Sequence, residues 1–174
     1  VKIISTDDNF ENPPTCDALI TNKKNIPLMV MVADCSPILF YDDVKKVIAV
    51  AHAGRAGAFK NICANVINSF VNEFGSCVSD IKVSIGPAIC ADCYEVGKEI
   101  YEEATQLKLD YALTKKEHSY YLDIRAILDK QLREAGIKQE HLEISALCSQ
   151  CDANFFSYRE EKECGRFAGV LLLR

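Results

Sequence analysis

Three short apolar runs in close succession, Leu28 to Ala33, Pro37 to Tyr41 and Val47 to Ala51, constrain this chain most. Each is nearly continuous in Val, Ile, Leu and similar residues, yet each is too short for a buried helix. Runs of this kind form strands covered on both faces. A polar stretch, Asp42-Asp43 with Lys45-Lys46, supplies the turn between the second and the third. Two reactive side chains stand at their ends, Cys35 between the first two strands and His52 just past the third. A sheet formed from these strands brings the thiol and the imidazole together.

The rest of the chain alternates helix and strand signals. Phe59, Ile62, Val66, Ile67, Phe70 and Phe74 recur at helical spacing, and Gly75 supplies the stop. Ile81 to Ile85 reads as a strand ending in Gly86-Pro87, and Val96 to Leu107 as an amphipathic helix. Asp123 is placed to cap a helix running through Ala135 and closed by Gly136. Leu142 to Leu147 and Phe167 to Leu173 complete the strands, while residues 5–16, with paired prolines, read as a surface loop. The expected fold class is α+β, with mixed β-sheets packed together and covered by helices. A length of 174 residues suits one domain over 1–174, burying roughly 70% of its unfolded surface.

Composition narrows the function. A net charge of −5 disfavours nucleic-acid binding, and no apolar run approaches the length of a membrane span. Nine cysteines is an odd count that sits badly with a disulfide framework, so reduced thiols and a cytoplasmic location are expected. The chain opens at Val1 rather than Met, within what reads as a strand, and a preceding N-terminal part is expected.

A cysteine paired with a histidine makes either part of a metal site or a nucleophile with its base. As bland alternatives, Cys35 is a small core hydrophobe and His52 a satisfied core histidine. Asp34 and Pro37 beside Cys35 argue for more, because a charge in an apolar run is costly unless paired or used. Gly54-Arg55-Ala56-Gly57, opening a helix near Ala58, reads as a site for phosphate or carboxylate or as a plain turn. Arg159 and Arg166, within FFSYREEKECGRF, read either as a pocket wall for a planar anionic ligand or as a solvated strand edge. His118 and His141 lie in charged surroundings and read as surface residues. The pairs Cys90/Cys93 and Cys148/Cys151 are separated by 54 residues, far more than a zinc ribbon uses, so a shared structural zinc is disfavoured.

In order along the chain stand CDALIT (16–21), VADCSPILF (32–40), AHAG (51–54), SIGPAICADCYEVG (84–97), Leu122-Asp123, Cys148, FFSYR (155–159) and GR (165–166). This ordered set resembles the bacterial laccase-domain family, formerly described as multicopper polyphenol oxidases and now regarded as purine nucleoside phosphorylases with adenosine deaminase activity. The resemblance implies a zinc-dependent enzyme acting on adenosine, inosine or methylthioadenosine with phosphate. It implies zinc ligands Cys35 and His52, with a first histidine upstream of Val1. It also implies phosphate or substrate contacts from Gly54, Arg55, Arg159 and Arg166. The family's His-Ala-Gly-Trp-Arg-Gly reads His-Ala-Gly-Arg-Ala-Gly here, which displaces the arginine by one position to Arg55. Three rivals stand beside this reading: a copper-dependent phenol oxidase, for which three histidines are too few; a cysteine hydrolase with a Cys35–His52 dyad; and a non-enzymatic domain with structural zinc on the CxxC pairs.

Overall fold

The computed structural model describes residues 1–8 and 11–174. Its strands are β1 (Lys2–Ile3), β2 (Ala18–Thr21), β3 (Leu28–Val32), β4 (Ser36–Asp42), β5 (Val47–Ala53), β6 (Ile81–Ile85), β7 (Glu95–Val96), β8 (Leu113–Lys116), β9 (Ser119–Leu122), β10 (Leu142–Ile144) and β11 (Phe167–Leu171). Its helices are α1 (Arg55–Phe59), α2 (Ile62–Phe74), α3 (Lys98–Gln106) and α4 (Ile124–Glu134).

A mixed sheet ordered β1-β2-β5-β4-β6-β10 forms the centre. β4 and β5 pair antiparallel from Ser36 opposite Ala53 to Asp42 opposite Val47. The buried Asp42 carboxylate closes their turn by accepting from the N–H groups of Val44 and Lys45 at 2.8 and 2.9 Å. Both strands are almost wholly buried, as their apolar runs require, because the central sheet is covered on both faces.

On one face α2 and α4 present Cys63, Val66, Phe70, Ile127 and Leu128 to Ile38, Phe40, Ala49 and Ala51. On the other, Ile48 and Val50 meet Leu28, Val30 and Val32 of β3, which pairs antiparallel with β11. The alternation of the pleat therefore puts His52, in the same row as Ile48 and Val50, on the face toward β3 and β11. The expectation that β3 is covered on both faces is corrected here: Met29 and Met31 are exposed, because the β3–β11 ribbon is an outer layer.

The helix after Gly54 starts at Arg55, earlier than Ala58, and breaks before α2. The break lies at Asn61, which takes a left-handed conformation (φ 54°) and caps α2 by accepting from Ala64 N–H at 3.2 Å. Gly75 (φ 66°) closes α2 and Asp123 caps α4, both as the sequence indicates. A small antiparallel sheet, β7-β9-β8, was not anticipated from the sequence. Among the described residues no helix is long and apolar enough to cross a membrane.

Candidate active site

Cys35 lies in the turn from β3 to β4, after Asp34 in a left-handed conformation (φ 79°). His52 sits inside β5, opposite Pro37, rather than past the strand's end. The two side chains converge on Gly54. A Cβ at Gly54 would stand 2.9 Å from Cys35 Sγ and 3.7 Å from His52 Cε1, so only glycine leaves both in place. On its other side His52 places Nδ1 3.3 Å from Asp17 Oδ1, and its backbone N–H donates to the Asp17 carbonyl at 2.7 Å. With Nδ1–H directed at a carboxylate, Nε2 is the nitrogen left with a free lone pair. Asp17 is a site residue that the sequence reading passed over, although it stands in the CDALIT motif.

Burial, and then the Asp34 charge, push the Cys35 thiol above its ordinary range against a weaker pull from Arg166. Among the described residues no hydrogen bond joins Cys35 to His52. A protonated thiol with no base against it is a poor nucleophile, which disfavours the hydrolase dyad. A soft metal that displaces the proton suits the same pair better.

A cavity of about 50 Å³ adjoins Cys35, lined among others by Asp34, Gly54, Arg55, Ile89 and Tyr94. A second, wider groove of about 410 Å³ runs past His52 and Asp17 along Met29, Met31 and Val50. The pair thus stands between a small, mostly apolar niche and a wider groove.

Asp34 resolves the cost of its own burial by being paired. Its carboxylate accepts from Ser149 Oγ–H and from Arg159 N–H, each at 2.7 Å, and its carbonyl accepts from Ile89 N–H at 3.0 Å. The Arg159 guanidinium lies 5.2 Å over the Tyr94 ring and donates to the Glu95 carbonyl at 2.9 Å. Arg166 donates to the carbonyls of Cys164 and Gly165, both at 2.8 Å. Neither guanidinium meets a carboxylate among these bonds, whereas Arg55 is bound to Glu103 at 2.7 Å. α1 spans only five residues, so its start offers N–H donors with little accumulated dipole.

His118 is exposed as expected, but His141 is half-buried with Nδ1 enclosed and unpartnered, because it sits at the β6–β10 edge of the sheet. Neither lines the niche or the groove beside Cys35 and His52. Among the described residues no group of histidines gathers, so this chain does not fit a centre of several coppers. One thiolate and one imidazole fit part of a single zinc site.

The cysteine pairs correct the sequence reading. Cys90, Cys93, Cys148 and Cys151 gather with all four sulfurs within 4.8 Å of one another, because Ala88 and Cys148 form a bridge that sets their loops side by side. The 54-residue gap is spanned by β7–β10, α3 and α4, a distance in sequence that the fold erases.

The family model for multi-copper polyphenol oxidoreductase laccase matches residues 1–174. A Campylobacter jejuni protein named purine nucleoside phosphorylase is 34% identical over 174 residues, covering 99% of this chain and 73% of that protein. A Bacillus subtilis protein of the same name is 33% identical over 150 residues, covering 84% of this chain and 54% of that protein. Among solved structures, the hypothetical protein YfiH of Bacillus licheniformis superposes with a TM-score of 0.85 at 34% identity, covering 91% of this chain and 61% of its own. A Neisseria meningitidis protein gives 0.83 at 26% identity over 95% of this chain and 68% of its own. The chain therefore spans between about half and three quarters of the relatives it matches.

Proposed function

The chain belongs to the multi-copper polyphenol oxidoreductase laccase family, and on that premise we propose that it cleaves purine nucleosides with phosphate, giving free base and ribose 1-phosphate. The relatives named purine nucleoside phosphorylase support this reading. The observation that carries it is the convergence of Cys35 and His52 on Gly54, with the Arg166 charge acting on Cys35 and Arg159 over Tyr94, which lines the adjoining cavity. Adenosine, inosine and methylthioadenosine are the proposed substrates, and the resemblance adds hydrolytic deamination of adenosine. Nine free cysteines suit the reducing cytoplasm.

Cys35 and His52 would hold a zinc ion, supplying two of its ligands. Zinc there supplies Lewis-acid polarisation of an oxygen. Asp17, against Nδ1, would leave Nε2 as the His52 ligand atom. Glycosidic cleavage builds positive charge on the ribose, and phosphate held near the ring stabilises it. Arg166 and Arg159 suit that phosphate because their present partners are carbonyls and an aromatic face. Gly54 and Arg55 contribute backbone N–H donors, and the Arg55 side chain joins only by releasing Glu103.

Incubation of the protein containing this chain with inosine, with and without inorganic phosphate, tests the reading. Base release with equal consumption of phosphate is expected. Release at the same rate without phosphate would make it a hydrolase, and ammonia release from adenosine reports deamination separately.

A further inference from the structure

Cys90, Cys93, Cys148 and Cys151 stand apart from the Cys35–His52 pair and take no part in the proposed reaction. Thiolates around one tetrahedral zinc, with bonds of about 2.3 Å, lie about 3.8 Å apart. The four sulfurs here lie within 4.8 Å of one another, with Cys93 and Cys151 at 3.4 Å. Several irons would spread their ligands wider, so the spacing suits a single ion.

The backbone prepares the same arrangement. Each Cys-x-x-Cys bends through a tight turn, the first with Cys93 N–H donating to the Cys90 carbonyl at 3.1 Å. Ser149 N–H donates to the Ala88 carbonyl at 3.2 Å and so fixes one loop against the other. Cys90 N–H donates to Cys148 Sγ at 3.3 Å. An N–H aimed at sulfur favours the thiolate, the form a metal binds.

We propose that Cys90, Cys93, Cys148 and Cys151 form a tetrathiolate site for one zinc ion, distinct from the Cys35–His52 site. The ion staples the loop at residues 88–94 to the loop at residues 148–159. Those loops carry Ile89, Ser149 and Arg159, the three residues that hold Asp34, and Tyr94, over which Arg159 lies. The site is structural: its four positions are filled by protein, leaving none for substrate.

The test begins with a chain carrying Cys35→Ala and His52→Ala, which has lost both of its ligands to the other site. After dialysis it should retain about one zinc per chain, and cobalt in its place should show the strong charge-transfer absorption of several thiolates. Adding Cys90→Ser and Cys151→Ser should abolish both signals. Should that variant fail to fold, the unsubstituted protein still decides: the four cysteines should resist alkylation, mapped by mass spectrometry, until a chelator removes zinc. Absence of zinc from the first variant, alkylation indifferent to chelator, or disulfides among the four in freshly purified protein would each overturn the proposal. Every readout is metal or thiol chemistry, so loss of the phosphorylase reading leaves the outcome unaffected.

Discussion

His52 is held twice by Asp17, through Nδ1 at 3.3 Å from Oδ1 and through its backbone N–H at 2.7 Å from the Asp17 carbonyl. Only the first contact depends on the Asp17 carboxylate. Asp17→Asn should therefore keep β2 beside β5 while loosening the orientation of the imidazole. Metal affinity at the Cys35–His52 site should fall about 10- to 100-fold, measured by competition with a chromophoric chelator. Unchanged affinity would mean that Asp17 does not orient the ligand.

Gly54→Ala isolates crowding from backbone strain. The residue has φ −83° and ψ −175°, which alanine adopts freely, but the added Cβ would meet Cys35 Sγ at 2.9 Å. Cys35 must shift, at a cost of about 1–3 kcal/mol in urea unfolding. Nucleoside cleavage should fall further than stability does, because the displaced sulfur belongs to the site.

Asp34 anchors two loops, so its removal should be felt globally. Asp34→Ala leaves Ser149 Oγ–H and Arg159 N–H without their acceptor and puts alanine at φ 79°. A loss of about 2–4 kcal/mol is expected in denaturant unfolding. Asp34→Asn keeps a carbonyl oxygen and tolerates the left-handed conformation, and should cost less than half as much.

Much of the sheet was legible because its residues declare themselves locally. The unbroken apolar runs mark β4 and β5, Gly75 marks the end of α2, and Asp123 marks the start of α4. Cys35 and His52 could be nominated because a thiol and an imidazole stand beside buried apolar runs. What was illegible depends on tertiary contact. Nothing near Cys90 announces Cys148, and nothing near Arg55 announces Glu103. β8 carries Thr114, Lys115 and Lys116 exposed, so no apolar periodicity betrays it. Likewise Met29 and Met31 look like core residues until β3 is seen in an outer layer.

Cys63 offers a test of the main core. It is fully enclosed on the inner face of α2, and burial pushes its thiol up to about 12. A raised pKa leaves the thiol protonated, and so unreactive, at about pH 8. Iodoacetamide should label exposed Cys16 and Cys77 in the folded protein and reach Cys63 only in denaturant. Labelling of Cys63 under native conditions would show that α2 opens from the sheet.

Zinc content and phosphorolysis measured together in Cys35→Ala, in the protein containing this chain, bear most directly on the paired thiol and imidazole. Loss of the zinc held at this site together with loss of phosphate-dependent base release is the predicted result. Full phosphorolysis by Cys35→Ala protein stripped of metal would contradict it.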